Sequence, residues 1–101
     1  MHRAVASLIL AKLIRMNPVA IESLPSRQRR EAEEFLRTHP LSPAGRLRPR
    51  IGRNGAMWYA LLGRDLHDGK VGFGATPAVA LEAFNRNFGR SDGEQTASAD
   101  A

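Results

Sequence analysis

Few residues in this chain could do acid–base, metal or nucleophilic chemistry, and they are poorly placed for it. The histidines are His2, His39 and His67, and none has a Cys, a second His or an acid at metal-ligand spacing. A metal site needs such ligands to converge. His67-Asp68 reads as a turn pair rather than a catalytic dyad. Glu31, Glu33 and Glu34 crowd one predicted helix, where Glu33 and Glu34 have arginines at helical spacing. A neighbouring cation keeps a carboxylate ionised, which suits it poorly to proton transfer at neutral pH. Gly72-x-Gly74 lacks the third glycine and the later acid of a dinucleotide fingerprint. With no cysteine, disulfides and thiolate chemistry are excluded. The expectation is no enzyme, no metal and no cofactor.

What remains is arginine. All but two of the 15 basic side chains (Lys12 and Lys70) are Arg, and the formal net charge is +5. From Phe35 to Arg64 every charged side chain is an arginine. Such a body favours anionic partners: nucleic acid, an acidic protein surface or a lipid surface. The run Arg46-Leu47-Arg48-Pro49-Arg50-Ile51 alternates as a strand does, with its arginines on one face. Pairing with the next run adds Met57, Tyr59 and Leu61 to that outer face, and Arg53 lies near the turn. Arginine beside an aromatic on an open sheet suits nucleic-acid backbones and stacked bases. It suits a protein interface equally, since Arg, Tyr and Met are enriched there. A second basic group, Arg27, Arg29 and Arg30, opens a helix where the dipole prefers acids, which hints at an external use. The candidate binding residues are therefore Arg46, Arg48, Arg50, Arg53, Met57 and Tyr59, with Arg27, Arg29 and Arg30.

The elements that position them follow from punctuation and periodicity. Val5, Leu8, Ile9 and Leu13 keep helical spacing, and Leu10 and Ile14 broaden the apolar face, so this first helix is expected to be buried or shared with a partner. Its apolar core is short for a signal peptide, and no run is long enough to span a membrane. Asn17-Pro18 ends it, with Asn17 as cap of a short turn. Pro25-Ser26 opens a helix over Ser26–Thr38, with Ala32, Phe35 and Leu36 on its apolar side and His39-Pro40 as its stop. Its predicted ion pairs are Arg29–Glu33, Arg30–Glu34 and Glu33–Arg37. Residues 41–45 read as a linker inside one domain.

Asn54-Gly55 is a hairpin signal. As the turn, it sets Ile51 opposite Trp58, Pro49 opposite Ala60 and Leu47 opposite Leu62, all on the core face. Asp68-Gly69 is a second signal, and its register places Val71 and Phe73 in the core. Thr76-Pro77 starts the last helix, with Thr as cap and Pro at the first position. Pro77, Ala80, Leu81, Phe84 and Phe88 form its buried stripe, and Gly89 ends it. Residues 90–101 are small and polar and read as a disordered tail. The predicted fold is α+β, in the order α-α-β-β-β-α. N-terminal helices occupy 1–40, a three-stranded antiparallel sheet with its C-terminal helix occupies 46–88, and 1–89 form a single domain.

This order resembles the double-stranded RNA-binding domain, whose last helix begins G-x-G-x-S-K-K-x-A-K. Here Gly72, Gly74, Thr76 and Ala80 align with it, whereas Pro77, Ala78 and Leu81 replace the lysines that grip phosphate. It is also similar to the HicB-type antitoxin domain, through the run Gly74-Ala75-Thr76-Pro77-Ala78-Val79-Ala80-Leu81. In texture it looks like small phage and prophage proteins with a tryptophan strand and a T-P-x-x-A-L-x-x-F helix. The likeness covers residues 51–88 and implies the fold; function carried by a fold alone is analogy. Two functions follow as expectations. One is a small cytoplasmic, phage-type binding protein that engages nucleic acid through its arginine face. The other is a protein-binding inhibitor or antitoxin-like module. A homodimer through the first helix or through the strand Arg46–Ile51 is a third arrangement.

Overall fold

The computed structural model describes residues 16–64 and 69–88. Its sheet is a four-stranded antiparallel meander of β1 (Met16–Val19), β2 (Arg50–Asn54), β3 (Met57–Leu62) and β4 (Lys70–Gly74), in that spatial order. Between β1 and β2 come a 3-10 turn (Ile21–Ser23), helix α1 (Ser26–Thr38) and the one-turn helix α2 (Pro43–Leu47); helix α3 (Pro77–Phe88) follows β4. The α+β class holds, with one strand more than the three predicted.

The additional strand is β1, where Asn17-Pro18 had suggested a helix end and a turn. Met16 pairs with Arg53 and Val19 with Ile51, across an irregularity in register. Proline has no amide hydrogen for a ladder and is confined to edges, and β1 is an edge of this sheet. The predicted first helix over Val5 to Ile14, the turn at Asp68 and the tail 90–101 lie outside the described residues.

Helix α1 has the bounds that its punctuation predicted. Ala32 and Leu36 are buried and Phe35 packs against the core. The His39 amide donates to Leu36 O at 3.2 Å, and Pro40 cannot extend the ladder. Residues 43–47, split between a linker and a strand in the sequence reading, form α2 instead. Ser42 caps it by accepting the Gly45 amide, with Pro43 in the first turn. The Ala44 amide donates to Asn85 Oδ1 at 2.7 Å, which ties α2 to α3. Arg48 then leaves the helix in the left-handed region, at φ 47. The alternation of Arg46, Arg48 and Arg50 is thus not a strand: only Arg50 lies in β2.

The β2–β3 hairpin forms with a different register from the expected one. Asn54 pairs with Met57, so Gly55-Ala56 make the turn. Gly55 has φ 69, and Ala56 is not among the positive-φ residues. Glycine first, with positive φ only there, matches the sign pattern of a type II′ turn. The register moves by two residues: Ile51 faces Ala60 and Trp58 faces Arg53. A shift of two keeps each side chain on its face. Arg50, Met57, Tyr59 and Leu61 therefore share the outer face as expected.

Strand β4 corrects the other half of the expectation. Phe73 pairs with Tyr59 and Val71 with Leu61, so both project outward. Phe73 is 45% exposed, with its ring 6.0 Å from that of Tyr59. Gly72 and Gly74 take the inner face because α3 lies directly on it. A Cβ at Gly72 would stand 2.1 Å from Phe84 N. Helix α3 begins as predicted, with Thr76 Oγ1 accepting the Val79 amide. It buries Pro77, Ala80, Leu81 and Phe84. Ala80, Leu81 and Phe84 meet Ile21, Leu24, Leu36, Ile51 and Trp58 in one core between the helices and the inner sheet face. Burying each large apolar side chain contributes roughly 1.5–3 kcal/mol relative to leaving it exposed.

Candidate nucleic-acid interface

The fold distributes the candidate arginines over three surfaces. Arg46 is exposed on α2. Arg48 is clamped: Nη1 and Nη2 donate to the two oxygens of Glu33 at 3.2 and 2.7 Å, and Nη2 also reaches Glu22 at 2.9 Å. A guanidinium gripped by two carboxylates is an internal strut that joins the 3-10 turn, α1 and the entry to β2. The Glu33 hydrogen bond leads in raising the Arg48 pKa above its ordinary value. The Glu22 carboxyl is held below its ordinary value, first by a main-chain hydrogen bond and then by Arg48. Arg50 is on the outer face, where Nη2 donates to Gly63 O.

That outer face is not the open arginine and aromatic platform that alternation suggested. Arg46 and Arg48 are absent from it. Tyr59 is 7% exposed, lies over Gly52 and donates to Met16 O at 3.4 Å, and Leu61 is 2% exposed. Met57 and Phe73 are its exposed apolar side chains.

A different grouping forms at the start of α1. Arg27, Arg29 and Arg30 are exposed on its first turns. The helix begins after Pro25 with no side-chain cap and no acid in its first turn, so its amide end adds to the positive field. Across from it, Arg53 extends from the end of β2 onto the ring of its cross-strand partner, with its guanidinium carbon 5.1 Å from the Trp58 centroid. Arg53 Nε donates to Gly55 O at 2.9 Å. Arg27 and Arg53 line one groove of about 400 Å³, together with Gln28, Glu31, Trp58 and Thr76. The two-residue register shift is what brings Arg53 onto Trp58; the sequence held no signal for that, nor for Gln28 and Thr76 as neighbours.

The acids of the fold are largely committed to partners of its own. Every described carboxylate has a partner within the fold. Glu22 and Glu33 hold Arg48, Glu34 holds Arg37, and Glu82 holds Arg86 at 3.7 Å. Glu31 Oε2 accepts the Ala78 amide at 3.0 Å, in the first turn of α3. The predicted pairs of Glu33 and Glu34 with Arg29 and Arg30 do not form, because Arg48 and Arg37 take those carboxylates. Among the described residues the arginines with a carboxylate partner are Arg37, Arg48 and Arg86; Arg27, Arg29, Arg30, Arg46, Arg50, Arg53 and Arg64 have none. A second hollow, of about 530 Å³ and lined by Arg30, Arg37, Arg48, Glu33 and Glu34, is larger. Two of its three cations, Arg37 and Arg48, are paired with its own carboxylates Glu34 and Glu33, whereas neither arginine of the smaller groove has a carboxylate partner among the described residues.

Among the described residues no three His, Asp or Glu side chains come together as a metal site. Within the same residues, no helix is long and apolar enough to cross a membrane. Comparison with protein-family models, curated proteins and solved structures finds no match to this chain.

Proposed function

We propose that this chain is a small, basic, non-enzymatic binding protein of the cytoplasm that engages nucleic acid. Its contact surface is the first turns of α1 together with Arg53, rather than the outer sheet face. One observation carries the reading. The described carboxylates are all engaged by other groups of the chain, while Arg27, Arg29 and Arg30 have no carboxylate partner among the described residues at an uncapped helix start, and Arg27 shares a groove with Arg53. Phosphates can neutralise those cations and release their own counterions, a gain that is lost as salt rises.

The test is a titration of labelled single- and double-stranded DNA and RNA at low and moderate salt. Binding is expected to weaken steeply with salt, and Arg27→Ala or Arg30→Ala to lower the slope of log K against log salt by about one each. Arg48→Ala is expected to leave that slope unchanged, because Glu33 and Glu22 already neutralise it. A slope that responds to Arg50→Ala but not to Arg27→Ala would move the interface to the outer face. No binding at low salt would sink the nucleic-acid reading.

A second reading has its own observation. Met57 and Phe73 are 47% and 45% exposed on the outer face, beside the Tyr59–Phe73 ring pair. Large apolar side chains of this kind anchor protein interfaces. An inhibitor or antitoxin-like module would bind there, insensitive to salt and sensitive to Phe73→Ala.

A further inference from the structure

We infer that the groove between the start of α1 and the β2–β3 hairpin holds the base of a single-stranded nucleic acid, stacked on the guanidinium of Arg53. This rests on the nucleic-acid reading and names the form of nucleic acid and the contact that recognises it. Arg53 is fixed at two places. Its Nε is tied to Gly55 O, and the Trp58 ring supports the guanidinium from below. Its two terminal amino groups have no partner among the described residues, and the side chain is only partly buried. A planar cation held on an aromatic ring presents a flat face to a nucleobase, as arginines do in single-strand recognition.

The rest of the groove suits a nucleotide. At about 400 Å³ it falls within the size range of small-molecule sites, ~300–1,000 Å³. Arg27 on the opposite wall can take the phosphate. Gln28 offers both a donor and an acceptor to a base edge, and Thr76 adds a hydroxyl beside them. Glu31, the acid of the groove, accepts the Ala78 amide in the first turn of α3, which draws one of its oxygens away from the ligand but leaves its charge in place. A duplex keeps its bases paired and stacked inside, so it can present only its backbone here; a splayed single strand can insert a base.

The experiment compares three ligands of equal length with the intact chain at low salt. They are a single-stranded oligodeoxynucleotide, an abasic deoxyribose-phosphate oligomer and the corresponding duplex. Fluorescence of Trp58, the one tryptophan of the chain, reports on the groove, and anisotropy of the labelled ligand reports affinity. The single strand is expected to bind about tenfold more tightly than the abasic oligomer and alone to change the Trp58 emission. Arg53→Lys, which keeps the charge and loses the plane, should bring the single strand down to the abasic level with little change in salt slope. Gln28→Ala should weaken the single strand and spare the abasic oligomer, and unfolding midpoints of both variants control for folding. If the abasic oligomer or the duplex binds as tightly as the single strand, base insertion is overturned while the nucleic-acid reading stands. If none of the three binds, both fall.

Discussion

Replacing Gly72 by alanine tests the packing that organises this fold. Helix α3 lies on β4 so closely that a Cβ at Gly72 would be 2.1 Å from Phe84 N and 2.6 Å from Ala80 O. Those are main-chain atoms, which cannot rotate aside as the end of a side chain can. Ordinary contact begins near 3.4 Å, so the helix must retreat by roughly 1.3 Å. A gap of ~0.5–1 Å already forfeits a quarter to a half of a dispersion contact, and Leu81 and Phe84 would lose theirs to the sheet together. Overpacking costs about 1–3 kcal/mol in general, and a rigid obstacle puts this site at the upper end, about 3 kcal/mol. For a domain of this size each kcal/mol is worth ~4–8 °C, so Tm should fall by at least ~12 °C. Urea unfolding followed by Trp58 fluorescence measures the loss, with circular dichroism for Tm. Gly55→Ala is the control. Its Cβ would meet nothing within 4 Å, so any loss there comes from the positive φ of 69 alone and not from a clash. A Gly72→Ala protein within ~0.5 kcal/mol of the parent, well under the overpacking cost, would refute direct seating of the α3 main chain on β4.

Three further outcomes are expected. Arg48→Ala and Arg48→Gly both lose the Glu22 and Glu33 contacts, but only glycine accepts φ 47 without strain; Arg48→Gly should be the more stable by ~1 kcal/mol in urea unfolding. Glu22 has a lowered pKa, so its contribution is present above its ordinary 4.5 and is lost as pH falls through the folded value. The unfolding midpoint should therefore decline below about pH 4.5, and Arg48→Ala should make that decline shallower without abolishing it, since a main-chain hydrogen bond is the larger cause. Glu31→Gln keeps an oxygen for the Ala78 amide and removes the groove's negative charge. Single-stranded nucleic acid should bind it more tightly and with a steeper salt slope, while Glu31→Ala should lose ~1 kcal/mol of stability in parallel unfolding runs.

Local chemistry was legible in the sequence by itself. Pro25-Ser26 and His39-Pro40 bracket α1, and Thr76-Pro77 starts α3, because proline and the capping hydroxyl act on neighbours along the chain. The inner and outer faces of β2 and β3 were legible too, since alternation survives a register shift of two. The rest depended on groups distant in sequence. Four residues including a proline carry no periodicity, so β1 exists only through its pairing with β2. Phe73 points outward because α3 leaves room on the inner face only for glycine, although the register expected from a turn at Asp68-Gly69 placed it in the core. Glu33 abandons its helical neighbours for Arg48, 15 residues away, where two carboxylates converge on one guanidinium. The same holds for the groove. The sequence supplied an excess of arginine, and only the tertiary structure decided which arginines remain unpaired and which two, Arg27 and Arg53, face each other, because pairing depends on distances that the folded chain alone sets.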